Sequence, residues 1–99
     1  MLLILGTFRV SPEQLPAAEP VMRRMIDASR AEDGYVEYAY AQDILDPGLF
    51  RVHEIWRDRE ALDRHFTRPH IAEWRAAWPA LGIGSRNLKL HTLGDGLPT

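Results

Sequence analysis

The sequence predicts an α+β domain: a four-stranded antiparallel sheet covered on one face by helices, in the order β-α-β-β-(αα)-β. Three observations carry that expectation. Stretches near the two ends of the chain, Leu2 to Val10 and Ser85 to Leu93, read as strands. Leu15, Ala18, Met22, Met25, Ile26 and Ser29 instead recur at helical spacing, with Arg23, Arg24, Asp27 and Arg30 opposite. Between these, Tyr35 to Asp43 and Leu49 to Arg57 flank the turn signal Asp46-Pro47-Gly48, as the arms of a hairpin do.

In the first strand, Leu2, Ile4, Gly6, Phe8 and Val10 share one parity and Leu3, Leu5, Thr7 and Arg9 the other. Both faces are largely apolar, which suits a strand covered on both sides. Ser11-Pro12-Glu13-Gln14 reads as a capping box with proline at the first helical position. Pro16 and Pro20 predict a loose or kinked beginning and regular helix from about Pro20 to Ala31. Asp33-Gly34 reads as its left-handed end. After the hairpin, Asp58 caps a short helix running to about Phe66. Arg68-Pro69 breaks it, and a further helix carries His70, Ile71, Trp74, Trp78 and Leu81 until Pro79 to Gly82 stops it. Residues 1–93 form one core and 94–99 a tail, a single domain. The order is the split β-α-β pattern of a ferredoxin-like sheet. Because the first strand is apolar on the face that helices leave free, that face is expected to pack on a second copy, making a homodimer.

Composition narrows the function classes. A net charge of −2 with no basic cluster on one helix face gives no footprint for nucleic acid. Eleven of the twelve basic residues are arginine, a pattern of codon bias that also supplies groups able to bind carboxylates or phenolates. Without cysteine there is no disulfide, thiol nucleophile or thiolate metal site. The apolar start Met1-Leu2-Leu3-Ile4-Leu5-Gly6 lacks the basic residues of a signal peptide, and no apolar run has membrane-spanning length, so a cytoplasmic protein is expected. The histidines are not paired at i, i+4, and phosphate-binding, nucleophile-elbow, flavin and nicotinamide motifs are missing. No metal or cofactor is therefore expected.

The groups that could carry chemistry concentrate in His53 to His70. Strand parity puts Phe50, Val52, Glu54 and Trp56 on the helix side, and Arg51, His53, Ile55 and Arg57 on the other. Glu54 is thus a carboxylate aimed among apolar side chains, where burial raises its pKa unless an arginine pairs with it. Trp56 by itself reads as core. His65 borders an apolar stripe, as either a packed, hydrogen-bonded residue or a base. His70 falls in the first turn of the next helix, as a local cap or as part of a site. Tyr38 and Tyr40 share a parity and can reach the same space, though tyrosine is also simply a good strand former.

Taken together, Gly34-Tyr35-Val36-Glu37-Tyr38, Glu54-Ile55-Trp56, Ala61-Leu62, His65 and Arg68-Pro69-His70 resemble the antibiotic-biosynthesis monooxygenase family, and within it the small bacterial quinol monooxygenases. The resemblance spans nearly the whole chain. It implies a dimeric α+β barrel, two ferredoxin-like sheets packed face to face, and oxygenation of a hydroquinone or polycyclic phenol to a quinone. Neither metal nor flavin takes part, and O2 is the co-substrate. It further implies His65 as base and Glu54 as the group that orients His65 or a substrate hydroxyl. Trp56, Tyr38, Phe8, Trp74 and His70 would form the substrate site for a small aromatic molecule. The haem-degrading relatives need an asparagine in the first strand and an axial histidine late in the following helix. Gly6 or Thr7 and Trp74 or Arg75 stand there instead, which argues against haem. Two alternatives remain open: a non-enzymatic dimer that binds a small hydrophobic ligand, and an isomerase or cyclase acting on a polyketide-like substrate.

Overall fold

The computed structural model describes residues 1–99 and has the element order the sequence predicts. Strand β1 is Leu2–Arg9, helix α1 Leu15–Ser29, β2 Tyr35–Gln42, β3 Leu49–Trp56, α2 Arg59–Phe66, α3 Pro69–Leu81 and β4 Gly84–Thr92. The sheet order is β2-β3-β1-β4, with every neighbouring pair antiparallel. Residues 94–99 carry no secondary structure, and no helix is long and apolar enough to cross a membrane.

The register turns sequence parity into a core. Ile4 pairs with Glu54 and Leu2 with Trp56 across β1 and β3, while Tyr38 pairs with Glu54 across β2 and β3. Ile4, Phe8, Tyr38, Val52, Glu54 and Trp56 therefore point to one side. There they are buried beneath Met22 and Met25 of α1, Leu62 of α2, and Ile71, Trp74 and Leu81 of α3. The opposite face carries Leu3, Leu5, Ala39 and Ile55 with polar residues around them, and Leu5 is 51% exposed. Gly6 is required where β1 meets β4, because a Cβ there would lie 2.0 Å from the Asn87 carbonyl oxygen.

Three local expectations are corrected. Ser11 does not form a capping box. Pro12–Gln14 makes a 3-10 turn instead, and the Ser11 N–H and hydroxyl both reach the Gly82 carbonyl at the end of α3. Regular helix begins at Leu15 rather than near Pro20. Pro16 sits in the first turn, where backbone N–H groups have no helical acceptor, so its missing donor costs nothing there; Pro20 removes one bond from an otherwise amphipathic helix. Gly34 is not the helix cap. Helix α1 stops at Ser29 with Arg30 as its cap, and Gly34 (φ +86°) turns the chain into β2.

The later stops fall where the sequence places them. The Asp58 carboxylate accepts the Ala61 N–H at 2.9 Å to start α2, and Gly82 closes α3 in the left-handed conformation. Together these place the end of α2 and the start of α3 over the β3 end of the sheet.

Candidate active site

Three elements and one turn converge beneath α2. Strand β3 supplies Glu54 and Trp56, β2 supplies Tyr38, α2 supplies His65, and the turn after α1 supplies Glu32. His65 is 2% exposed. Its ring lies 4.5 Å from that of Trp56 and 5.4 Å from that of Tyr38, centroid to centroid. Its Nδ1 is 2.6 Å from Glu32 Oε2, and the same oxygen is 2.8 Å from His70 Nε2. Arg68 Nε lies 3.7 Å from the other Glu32 oxygen.

Glu32 is the residue that sequence reasoning missed. It precedes His65 by 33 positions and lies in what reads as an ordinary polar helix end. Only the turn between α1 and β2 brings it beneath α2, and its side chain is left 7% exposed. With Glu32 accepting the Nδ1 hydrogen, the neutral imidazole presents an unprotonated Nε2 to the interior, the arrangement of a carboxylate-supported base. Burial pushes the His65 pKa below its ordinary value, partly offset by Glu32, so the imidazole is neutral near pH 7 and able to accept a proton.

Glu54 points inward, as strand parity predicts. It has no arginine partner; Trp56 Nε1 donates to its Oε1 at 3.0 Å. His65 Nε2 is 3.8 Å from that oxygen, beyond hydrogen-bond length, so it is Glu32 that holds the imidazole. Burial raises the Glu54 carboxyl to about 7, against the pull of the Trp56 N–H, of more distant Arg86 and of the Tyr38 hydroxyl. Glu54 therefore changes charge near neutral pH.

The expected substrate wall is, in this closed arrangement, packed core. Phe8, Tyr38, Trp56 and Trp74 are each at most 4% exposed. The Tyr38 hydroxyl donates to Met25 Sδ at 3.2 Å and lies 3.5 Å from the Tyr40 hydroxyl, and burial lifts both phenols above their ordinary pKa, Tyr40 to about 12. His70 and Trp74 line a small cleft of about 160 Å³ between α1 and α3. His70 thus joins the buried cluster through Glu32 rather than capping α3. His53 faces the other side of the sheet, 3.6 Å from Glu37.

A cavity of about 450 Å³ lies between α1 and the hairpin on a floor of Leu15, Met22, Ile26, Tyr40 and Phe50, with Glu19, Arg23, Asp27 and Arg30 at its rim. It touches neither His65 nor Glu54. The link between groove and cluster is the Tyr40–Tyr38 pair. One set of groups could ligate a metal: Glu32, His65 and His70, whose donor atoms all lie within 4.8 Å of one another.

Comparison with known proteins agrees with this architecture. The family profile described as antibiotic biosynthesis monooxygenase matches residues 1–77. A Synechocystis protein, the uncharacterized sll1783, is 27% identical over 95% of this chain; the match spans 64% of that longer protein, so the chain covers less than two-thirds of it. The Mycobacterium tuberculosis protein named "Putative monooxygenase Rv0793" is 33% identical over 74% of this chain and 71% of its own length. Among solved structures, a Deinococcus radiodurans protein superposes with a TM-score of 0.92 over 100% of this chain and 98% of its own, at 23% identity, a likeness of fold. PA3566 from Pseudomonas aeruginosa gives 0.77 at 34% identity, over 93% and 90%. With the profile covering β1 through most of α3, and with a monooxygenase-named relative sharing a third of the aligned residues, the chain belongs to the antibiotic biosynthesis monooxygenase family.

Proposed function

We propose that this protein is a cofactor-independent monooxygenase that converts a hydroquinone or polycyclic phenol into a quinone with O2. The observation that carries the reading is the buried His65 imidazole, neutral near pH 7 and held through Nδ1 by Glu32 inside a wall of Trp56 and Tyr38. Such a base suits the one demand this chemistry makes on a protein: to take the phenolic proton in a dry, apolar setting, so that the electron-rich anion itself reduces O2. One oxygen atom enters the ring at a C–H position and the other leaves as water, which carries away the phenolic and ring hydrogens. The substrate supplies all four electrons.

The groove on Tyr40 and Phe50 accommodates the ring. The Tyr40–Tyr38 pair separates this groove from the His65 cluster, with the Tyr38 ring packed on the imidazole, and Glu32 stabilises the imidazolium that forms when His65 takes the proton. Glu54, raised by burial to about 7, carries less charge beside the phenolate near neutral pH than an ordinary carboxylate would. The protein works as a homodimer through the uncovered sheet face, where Leu3, Leu5, Ala39 and Ile55 form an apolar centre with a polar border.

A second reading, a non-catalytic dimer that binds a hydrophobic ligand, is favoured by the separation of the 450 Å³ cavity from His65. Oxygen consumption by chelator-treated protein with a panel of hydroquinones and phenols separates the two. Uptake that His65→Ala abolishes supports the oxygenase. Ligand binding without uptake supports the second reading.

A further inference from the structure

We propose that Glu32, His65 and His70 form a binding site for a divalent d-block cation of the zinc type, and that occupancy withdraws His65 from base duty. Their donor atoms come from the turn after α1, from α2 and from the first turn of α3, so folding alone assembles the set. Two imidazoles and one carboxylate are the ligand types that zinc and its neighbours prefer over calcium or magnesium.

The geometry is already near what coordination requires. Metal–ligand bonds of about 2.0–2.1 Å place adjacent ligand atoms roughly 2.9 Å apart in octahedral and about 3.4 Å apart in tetrahedral surroundings. Glu32 Oε2 stands 2.6 Å from His65 Nδ1 and 2.8 Å from His70 Nε2, so those two separations open by less than an ångström. The two imidazole nitrogens already lie within 4.8 Å of each other, and His70, with 19% of its side chain exposed, lies at the solvent edge. Arg68 approaches the other carboxylate oxygen, Oε1, leaving Oε2 to the ion.

A carboxylate also stands behind the ligands. A metal-bound histidine characteristically donates its second ring N–H to a carboxylate. Here the second nitrogen, His65 Nε2, lies 3.8 Å from Glu54 Oε1, too long for a hydrogen bond as it stands, and Trp56 fixes that carboxylate, so a shift of under about 1 Å by His65 would close the contact.

Binding replaces the protons that now join the three residues. With the cation on Nδ1, a neutral His65 carries its hydrogen on Nε2, so the nitrogen facing the interior changes from acceptor to donor. On the oxygenase reading above, on which this consequence alone rests, a bound cation stops proton uptake by His65.

The test uses the whole chain after chelator treatment, titrated with Zn²⁺ by calorimetry and with Co²⁺ by visible absorption, without any substrate. The expected result is saturable binding of one ion per chain, with d–d bands of low-symmetry Co²⁺, weakened at least roughly ten-fold in His70→Ala and in Glu32→Gln. Thermal unfolding shows whether each variant is folded; should Glu32→Gln not fold, His70→Ala decides. Absence of saturable binding by the wild type overturns the site, as does binding that persists unchanged in the folded variants. Since the readout needs no substrate, failure of the site and failure of the oxygenase reading are separate results. If O2 uptake is found, one equivalent of Zn²⁺ suppresses it; uptake unaffected by bound Zn²⁺ overturns the effect on His65.

Discussion

Replacing Glu54 with glutamine tests the electrostatics of the site without changing its shape. Glutamine keeps an oxygen for the Trp56 N–H and removes the charge. In the folded protein burial raises the Glu54 carboxyl from 4.5 to about 7. Between those values the fold retains a proton that the unfolded chain has released, so stability falls as pH rises through the window and is level on either side. At 1.36 kcal/mol per pH unit, that window corresponds to a cost of about 3 kcal/mol for ionised Glu54 above neutrality. His65 acts in the opposite sense. Its lowered pKa makes the unfolded chain the better proton acceptor just below 6.5, so its contribution falls as pH drops through that region. Because wild type and variant share His65, the difference between them isolates Glu54. Urea unfolding from pH 4.5 to 8.5 should show nearly equal stabilities at the acid end and a variant more stable by about 3 kcal/mol at the alkaline end. A difference that does not vary with pH, or one that grows toward acid, refutes the reasoning.

Removing the Trp56 donor with Trp56→Phe should raise the Glu54 pKa further, measurable as an upward displacement of its carboxyl carbon in an NMR titration. Gly34→Ala should destabilise by about 2–4 kcal/mol in urea unfolding, because φ is +86° and the new Cβ would stand 2.3 Å from that of Ala61. Leu5→Asp, at the centre of the open sheet face, should give monomers by sedimentation where the wild type gives dimers; a wild-type monomer at micromolar concentration contradicts the face-to-face assembly.

The fold was legible because local signals agreed with one another. Alternation in β1 and β3, the hairpin turn at Asp46 to Gly48, the Asp58 cap and the Pro79-to-Gly82 stop all act within a few residues, and each falls at its expected position. The misplaced details involve long-range choices. Ser11 turns from its own helix to Gly82, 71 residues away, and α1 starts early because its amphipathic face is held against α3 and the sheet despite Pro20. The same distinction applies to the site. Parity alone places Glu54 and Trp56 inward, since side-chain direction in a strand is local. Which carboxylate meets His65 is decided by where the turn after α1 lands. No spacing rule connects Glu32 to a histidine on α2, so the carboxylate bonded to His65 Nδ1 was not legible, while Glu54 lies 3.8 Å from Nε2. Equally, histidines on two helices do not read as a ligand pair until a carboxylate is found between them.

On the proposed function, the Glu32-supported His65 lets a phenolic substrate react with O2 unaided by a cofactor. The most direct measurement is isotopic: chelator-treated protein, a phenol or hydroquinone that supports uptake, and ¹⁸O-labelled O2. One labelled oxygen is expected in the quinone and one in water, with incorporation lost in His65→Ala. Quinone without label, hydrogen peroxide in place of labelled water, or incorporation that survives His65→Ala would contradict it.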